Sequence, residues 1–100
     1  MSNQTVWKFP VRVGAMEDDF ELRMPEGAEV LSVAFDHAEQ SPSIWAFIPD
    51  TNAHTELRKF SVRGTGHDAE GLGRVTTKFI GTVVYPGIPF VVHFWERKAA

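Results

Sequence analysis

FVVHFWE, residues Phe90 to Glu96, is apolar on both faces if the backbone is extended. Phe90, Val92 and Phe94 fall on one side, and Val91, His93 and Trp95 on the other. Val, Phe and Trp in close succession fit a pleated surface. The stretch therefore reads as a strand, and one that needs cover on both sides. The cover on the second side is either the rim of a single core or another subunit.

Outward from this strand, the same alternation repeats along the chain. IWAFI, Ile44 to Ile48, sets Trp45 and Phe47 against Ile44, Ala46 and Ile48. Strands are expected over Val6–Val13, Glu17–Met24, Glu29–His37, Ser43–Ile48, Leu57–Gly64, Thr77–Tyr85 and Phe90–Arg97. In the third, Leu31, Val33 and Phe35 are expected to share one face. Pro10 points to an edge position or a bulge in the first, because proline lacks the N–H a central ladder needs. Gly81 marks a bulge or a close backbone approach in the sixth. PEGAE, AEQSPS, PDTNAHTE and PGIP supply the turns, and HDAEGLGR has room for one short turn. No segment keeps a helical period over ten or more residues. These features predict a single all-β domain over residues 1–100, a small antiparallel β-sandwich or partly open barrel of about seven strands.

Composition narrows the function classes. The chain has 100 residues, 43% of them apolar, enough for one modest core. A net charge of −3 excludes a general basic face for duplex nucleic acid, though not a local site for a small anion. Without cysteine there is no thiolate metal site, and His37, His54, His67 and His93 share no ligand spacing, so neither metal nor cofactor is expected. MSNQTVWKFPV lacks a signal-peptide pattern and no apolar run reaches membrane-spanning length, so the cytosol is the default location and no membrane partner is expected. Neither a nucleophile beside a base nor a serine elbow can be read, so no catalytic residue is assigned.

RGTGH, Arg63 to His67, is the stretch with chemical content. Gly64 and Gly66 allow backbone N–H groups to converge on an anion, while Thr65 and His67 add donors. The same letters also make an ordinary turn. By alternation Arg58 shares a face with Phe60 and Val62, where it must reach the rim, pair with a carboxylate or meet a ligand. Arg63 lies on the opposite face and would reach across a subunit boundary. Trp45 and Trp95 are the candidate stacking surfaces for a planar group. The candidate ligand-binding set is thus Trp45, Arg58, Arg63, Gly64, Thr65, Gly66, His67 and Trp95.

Five segments in order, MPEGAEVLSV, IWAFIPD, RKFSVRGTGH, FIGTV and FVVHFWE, give the chain a family resemblance. It resembles small phage-encoded proteins that run M-P-x-G-A-x-I-L-x-V, L-W-A-L-V-D, R-x-F-x-V-x-G-T-G-H, Y-I-G-T and F-V-W-H-V-F-E. The resemblance spans residues 22 to 96. It departs at Pro49, at EGLGRVTT before FIGT, and at Val92 where the family often has tryptophan. Such proteins include sponges that sequester the cyclic nucleotide signals of bacterial immunity (anti-CBASS proteins). The resemblance implies a homo-oligomer, a dimer or tetramer, that binds a cyclic dinucleotide without cleaving it in the cytoplasm of the infected host. The alternative is a structural or protein-interaction module of the phage with no small ligand. A third reading, a phosphodiester enzyme, would need His67 or His93 as acid or base.

Overall fold

A computed structural model describes residues 3–14, 17–73 and 76–98. Seven strands run through them: β1 (Thr5–Pro10), β2 (Glu17–Pro25), β3 (Glu29–Asp36), β4 (Ser41–Ile48), β5 (Thr55–Gly64), β6 (Thr77–Val84) and β7 (Val91–Arg97). All pairings are antiparallel. They form a three-stranded sheet ordered β1-β4-β3 and a four-stranded sheet ordered β2-β5-β7-β6. No helix occurs among the described residues. The all-β expectation holds.

The apolar alternation explains why both sheets turn one face inward. Ile44, Ala46 and Ile48 of β4, Phe60 and Val62 of β5, and Val92 and Phe94 of β7 are all fully buried in one core drawn from both sheets. Phe20 of β2 stacks on Phe60 at 5.3 Å between ring centres and meets Phe94 edge-on at 6.2 Å. Trp45 and Phe47, the other faces of β4, are half-buried on the outside of the three-stranded sheet.

Both punctuating residues behave as expected. Pro10 is the last residue of β1, an edge strand, where its missing N–H interrupts no ladder. The expected continuation to Val13 fails at that proline: Val11 instead donates its N–H to the Pro42 carbonyl at 2.9 Å and tucks its side chain into the core. Gly81 follows a bulge at Ile80, and a β-carbon there would sit 3.1 Å from Val33 Cγ1. Here the edge of β6 passes close against β3 and partly closes the two sheets on that side.

One face assignment is overturned. A second bulge, between Val30 and Ser32, inserts Leu31 into the ladder and shifts the alternation of β3. Val30 and Val33 therefore face the core, while Leu31 is 50% exposed. The one-face grouping of Leu31, Val33 and Phe35 does not survive the extra residue.

The outside of the three-stranded sheet carries a charge cluster that makes stability pH-dependent. Lys8 lies 2.9 Å from Asp36, and Ser43 donates to the same carboxylate at 3.0 Å. The Lys8 hydrogen bond, helped by Ser43 and the Ala38 N–H, holds Asp36 below its ordinary 3.8 against the opposing effect of burial. Lys8 is correspondingly raised above 10.5, chiefly by the Asp36 bond. Asp36 then adds stability that is present above pH 3.8 and is lost as pH falls through its lower folded value. The Lys8 contribution is present below pH 10.5 and is lost as pH rises through its higher folded value. Urea midpoints measured across pH should therefore fall at both extremes. Asp36→Asn should flatten the acid limb, and an unchanged limb would show that the pair does not matter.

Candidate functional site

The RGTGH stretch closes β5. Gly64 is the final strand residue, opposite Val92, and His67 donates its N–H back to the Gly64 carbonyl at 3.0 Å. Gly66 has φ +85° and Thr65 is not left-handed, the pattern of a type II turn. Thr65 donates its own N–H to the Val91 carbonyl at 3.3 Å. Two of the N–H groups that a phosphate nest would use, those of Thr65 and His67, are therefore engaged with backbone carbonyls. What Thr65 and His67 offer a ligand is their side chains.

The turn conformation makes a specific demand at Gly66. An added β-carbon would touch nothing within 4 Å, so only the left-handed backbone resists substitution. Gly66→Ala should lower unfolding free energy by about 1–2 kcal/mol. Gly73→Ala, also in open space and without a positive φ, should be close to neutral. Urea denaturation followed by circular dichroism would decide it, and equal behaviour of the two variants would remove the turn assignment.

The side chains above the turn belong to β7. Alternation places His93, Trp95 and Arg97 in a row on the outer face of the four-stranded sheet, about 7 Å from one to the next. Thr65 Oγ1 lies 2.8 Å from His93 Nε2, and Thr82 Oγ1 lies 2.8 Å from His93 Nδ1. A hydroxyl both donates and accepts, so the two threonines satisfy the ring in either tautomer. Trp95 sits 6.3 Å from the His93 ring and 5.4 Å from Phe79, whose ring meets it at 65° and is half exposed. Arg97 donates to the buried Ser61 hydroxyl at 2.7 Å.

Arg63, opposite His93 in the ladder, is bound to the start of β2. Its Nη1 donates to Asp19 Oδ1 at 3.1 Å and to the Asp18 and Val62 carbonyls at 3.0 and 2.8 Å. Burial alone would push Asp19 up, but hydrogen bonds from Ser61 and Arg63, with the charges of Arg63 and Arg97, hold its carboxyl below the usual value. His67 Nδ1 lies 3.4 Å from Glu17 Oε1 at the same end of the sheet.

Six of the eight candidate residues, Arg63, Gly64, Thr65, Gly66, His67 and Trp95, thus gather at one end and along one outer face. The other two lie elsewhere. Trp45 is on the outer face of the three-stranded sheet, across the core from Trp95. Arg58 lies six positions before Gly64, roughly 20 Å away along β5. It faces inward, with Nε 2.6 Å from Glu96 and Nη1 donating to the Ala28 carbonyl at 2.8 Å. Of the three ways to satisfy Arg58, the fold uses the carboxylate.

Sequence reasoning missed Thr82 beside His93 and Phe79 beside Trp95, and it left His93 and Arg97 out of the candidate set that holds Trp95, their neighbour in one outer row. Alternation along β7 carried the signal for His93 and Arg97. Among the described residues no group of three or more His, Asp or Glu side chains has the arrangement of a metal site, and no helix is long and apolar enough to cross a membrane. A family model described as "Domain of unknown function (DUF7352)" matches residues 2–100, and the chain belongs to that family. No curated protein and no solved structure matches it.

Proposed function

We propose that the protein is a phage-encoded, non-catalytic sponge that binds a cyclic nucleotide immune signal and keeps it from its receptor in the cytoplasm of the infected host. The observation that carries this reading is the outer row of β7: an imidazole held by two hydroxyls, an indole and a guanidinium, in that order. A cyclic nucleotide alternates phosphates with flat bases. The Trp95 indole, braced by Phe79, supplies a plate for a base, and Arg97 supplies a planar cation for a phosphate. Thr65, Thr82 and His93 supply small polar groups on the other side of the plate. The five-motif resemblance to phage sponges supports the same reading.

Sequestration by two copies of the chain would suit a ligand that is itself two-fold symmetric. Half-buried Trp45 and Phe47, with exposed Val6 and Leu31 nearby in the ladder, give the three-stranded sheet an apolar outer face that a second copy would cover. The native mass would then be an integer multiple of 11.2 kDa. The same exposed side chains favour the second reading, a protein-interaction module of the phage with no small ligand.

Calorimetry against a panel of cyclic di- and trinucleotides separates the two. At least one should bind the wild type and be recovered intact after heat release. Trp95→Ala should weaken it by about 1–3 kcal/mol through lost stacking, and Thr65→Ala by about 1–3 kcal/mol if a buried partner is left unsatisfied. If no nucleotide binds, or if both variants bind as the wild type does, the sponge reading fails. If the released nucleotide is cleaved, the protein is an enzyme.

A further inference from the structure

At the end of the sheets opposite the Gly64–His67 turn, a cavity of about 770 Å³ opens between the beginnings of β3, β5 and β6 and the end of β7. Its volume is in the range of small-ligand sites. Its lining is dominated by one sign of charge in a chain whose net charge is the other. Arg58, Lys59, Lys78, Arg97 and Lys98 all border it.

The carboxylates at the cavity do not cancel these cations. Glu96 and Glu56 lie 2.6 and 3.4 Å from Arg58 and are committed to that one guanidinium. Arg97 has its nearest carboxylate, Asp19, at 4.0 Å. Lys59, Lys78 and Lys98 make no ion pair with a described residue. Glu29 is the remaining lining acid, against three lysines that have no ion pair among the described residues. Like charges gathered on one concavity repel each other and focus the local field, so an anion placed among them gains from every one.

We infer that this cavity is a binding site for a small molecule carrying two or more linked phosphate groups. Lysine ammonium groups are compact point charges on flexible stems, suited to phosphate oxygens at variable positions. The fixed Arg58–Glu96 pair and the buried Ala28 and Val30 give the cavity a rigid floor. Several lysines converging from β5, β6 and the residue after β7 match a chain of phosphates better than one isolated group. An extended nucleic acid is disfavoured because the charge lines a cavity and the chain as a whole is acidic. The inference needs no ligand on the outer face of β7.

Tripolyphosphate, which carries no base, is the probe. Titration calorimetry should give one site per chain, with orthophosphate binding far more weakly. The double variant Lys78→Ala/Lys98→Ala should lose roughly tenfold in affinity, as expected for two exposed charge contacts. Both lysines are exposed, and an unchanged circular dichroism spectrum would confirm folding. Arg12→Ala removes one exposed positive charge from the β1–β2 connection and should change nothing. No binding of tripolyphosphate, an equal loss from Arg12→Ala, or no loss from the lysine double variant would each overturn the site. Arg97 borders both this cavity and the β7 row, but neither lysine belongs to that row, so the lysine double variant tests this site alone and Trp95→Ala tests the nucleotide reading alone.

Discussion

Phe60→Ala is expected to lower the unfolding free energy by about 3–5 kcal/mol, the range for emptying a buried aromatic position. Phe60 is fully buried at the centre of β5, and its ring lies nearly parallel to Phe20, 13° off at 5.3 Å. Phe20 in turn meets Phe94 of β7 edge-on, so the three rings tie β2, β5 and β7 together beneath the four-stranded sheet. Removing the Phe60 ring leaves a void that neighbouring strands cannot fill without breaking their ladders. A domain of this size has about 5–15 kcal/mol in all, so the variant would be close to unfolding at room temperature. Phe79→Ala provides the contrast, because that ring is 52% exposed on the outer face and its loss should leave the midpoint much less affected. Urea denaturation of the two variants tests this, and a Phe60→Ala loss below about 1 kcal/mol would contradict the core described here.

The strands were readable because their residues alternate cleanly and their punctuation is chemical. Pro10 and Gly81 mark an edge and a bulge for reasons that belong to those residues alone. The bulge at Leu31 has no such marker: leucine fits either face, and only the pairing of β3 with β4 shows that one residue is extra. Sheet membership was equally hidden. Nothing in β2 or β3 states that consecutive strands part company, one to each sheet.

The candidate site was legible in part for the same reason. Letters within one strand, such as His93, Trp95 and Arg97, could be placed on a shared face by counting. Contacts between strands could not. Thr82 reaches His93 only because the bulge at Ile80 shifts β6 by one residue against β7. Trp45 and Trp95 look equivalent in sequence, and the division into two sheets is what puts the core between them. The turn at Gly64–His67 shows a further limit: glycine permits a phosphate nest and a type II turn equally well, and the partner carbonyl of Val91 tips the balance.

Glu96→Ala should destabilise the protein by about 3 kcal/mol, the low end for breaking a buried ion pair from one side. The Glu96 side chain is 10% exposed and that of Arg58 18%, so removing the carboxylate strands a guanidinium that water reaches poorly. Glu56 at 3.4 Å and the Ala28 carbonyl at 2.8 Å remain, which places the cost at the lower end of the range. Arg58→Ala should cost a similar amount, for it strands the carboxylate and also frees the Ala28 carbonyl. The pair is not in itself a large source of stability: an apolar replacement of both partners, Arg58→Met with Glu96→Leu, should recover most of either single loss. This non-additivity is the diagnostic result in urea denaturation. An Arg58 whose job is to hold a ligand would behave differently, with Arg58→Ala lowering affinity while leaving the urea midpoint in place. Observing that split, or finding the two single losses simply additive, would sink the structural assignment of the pair.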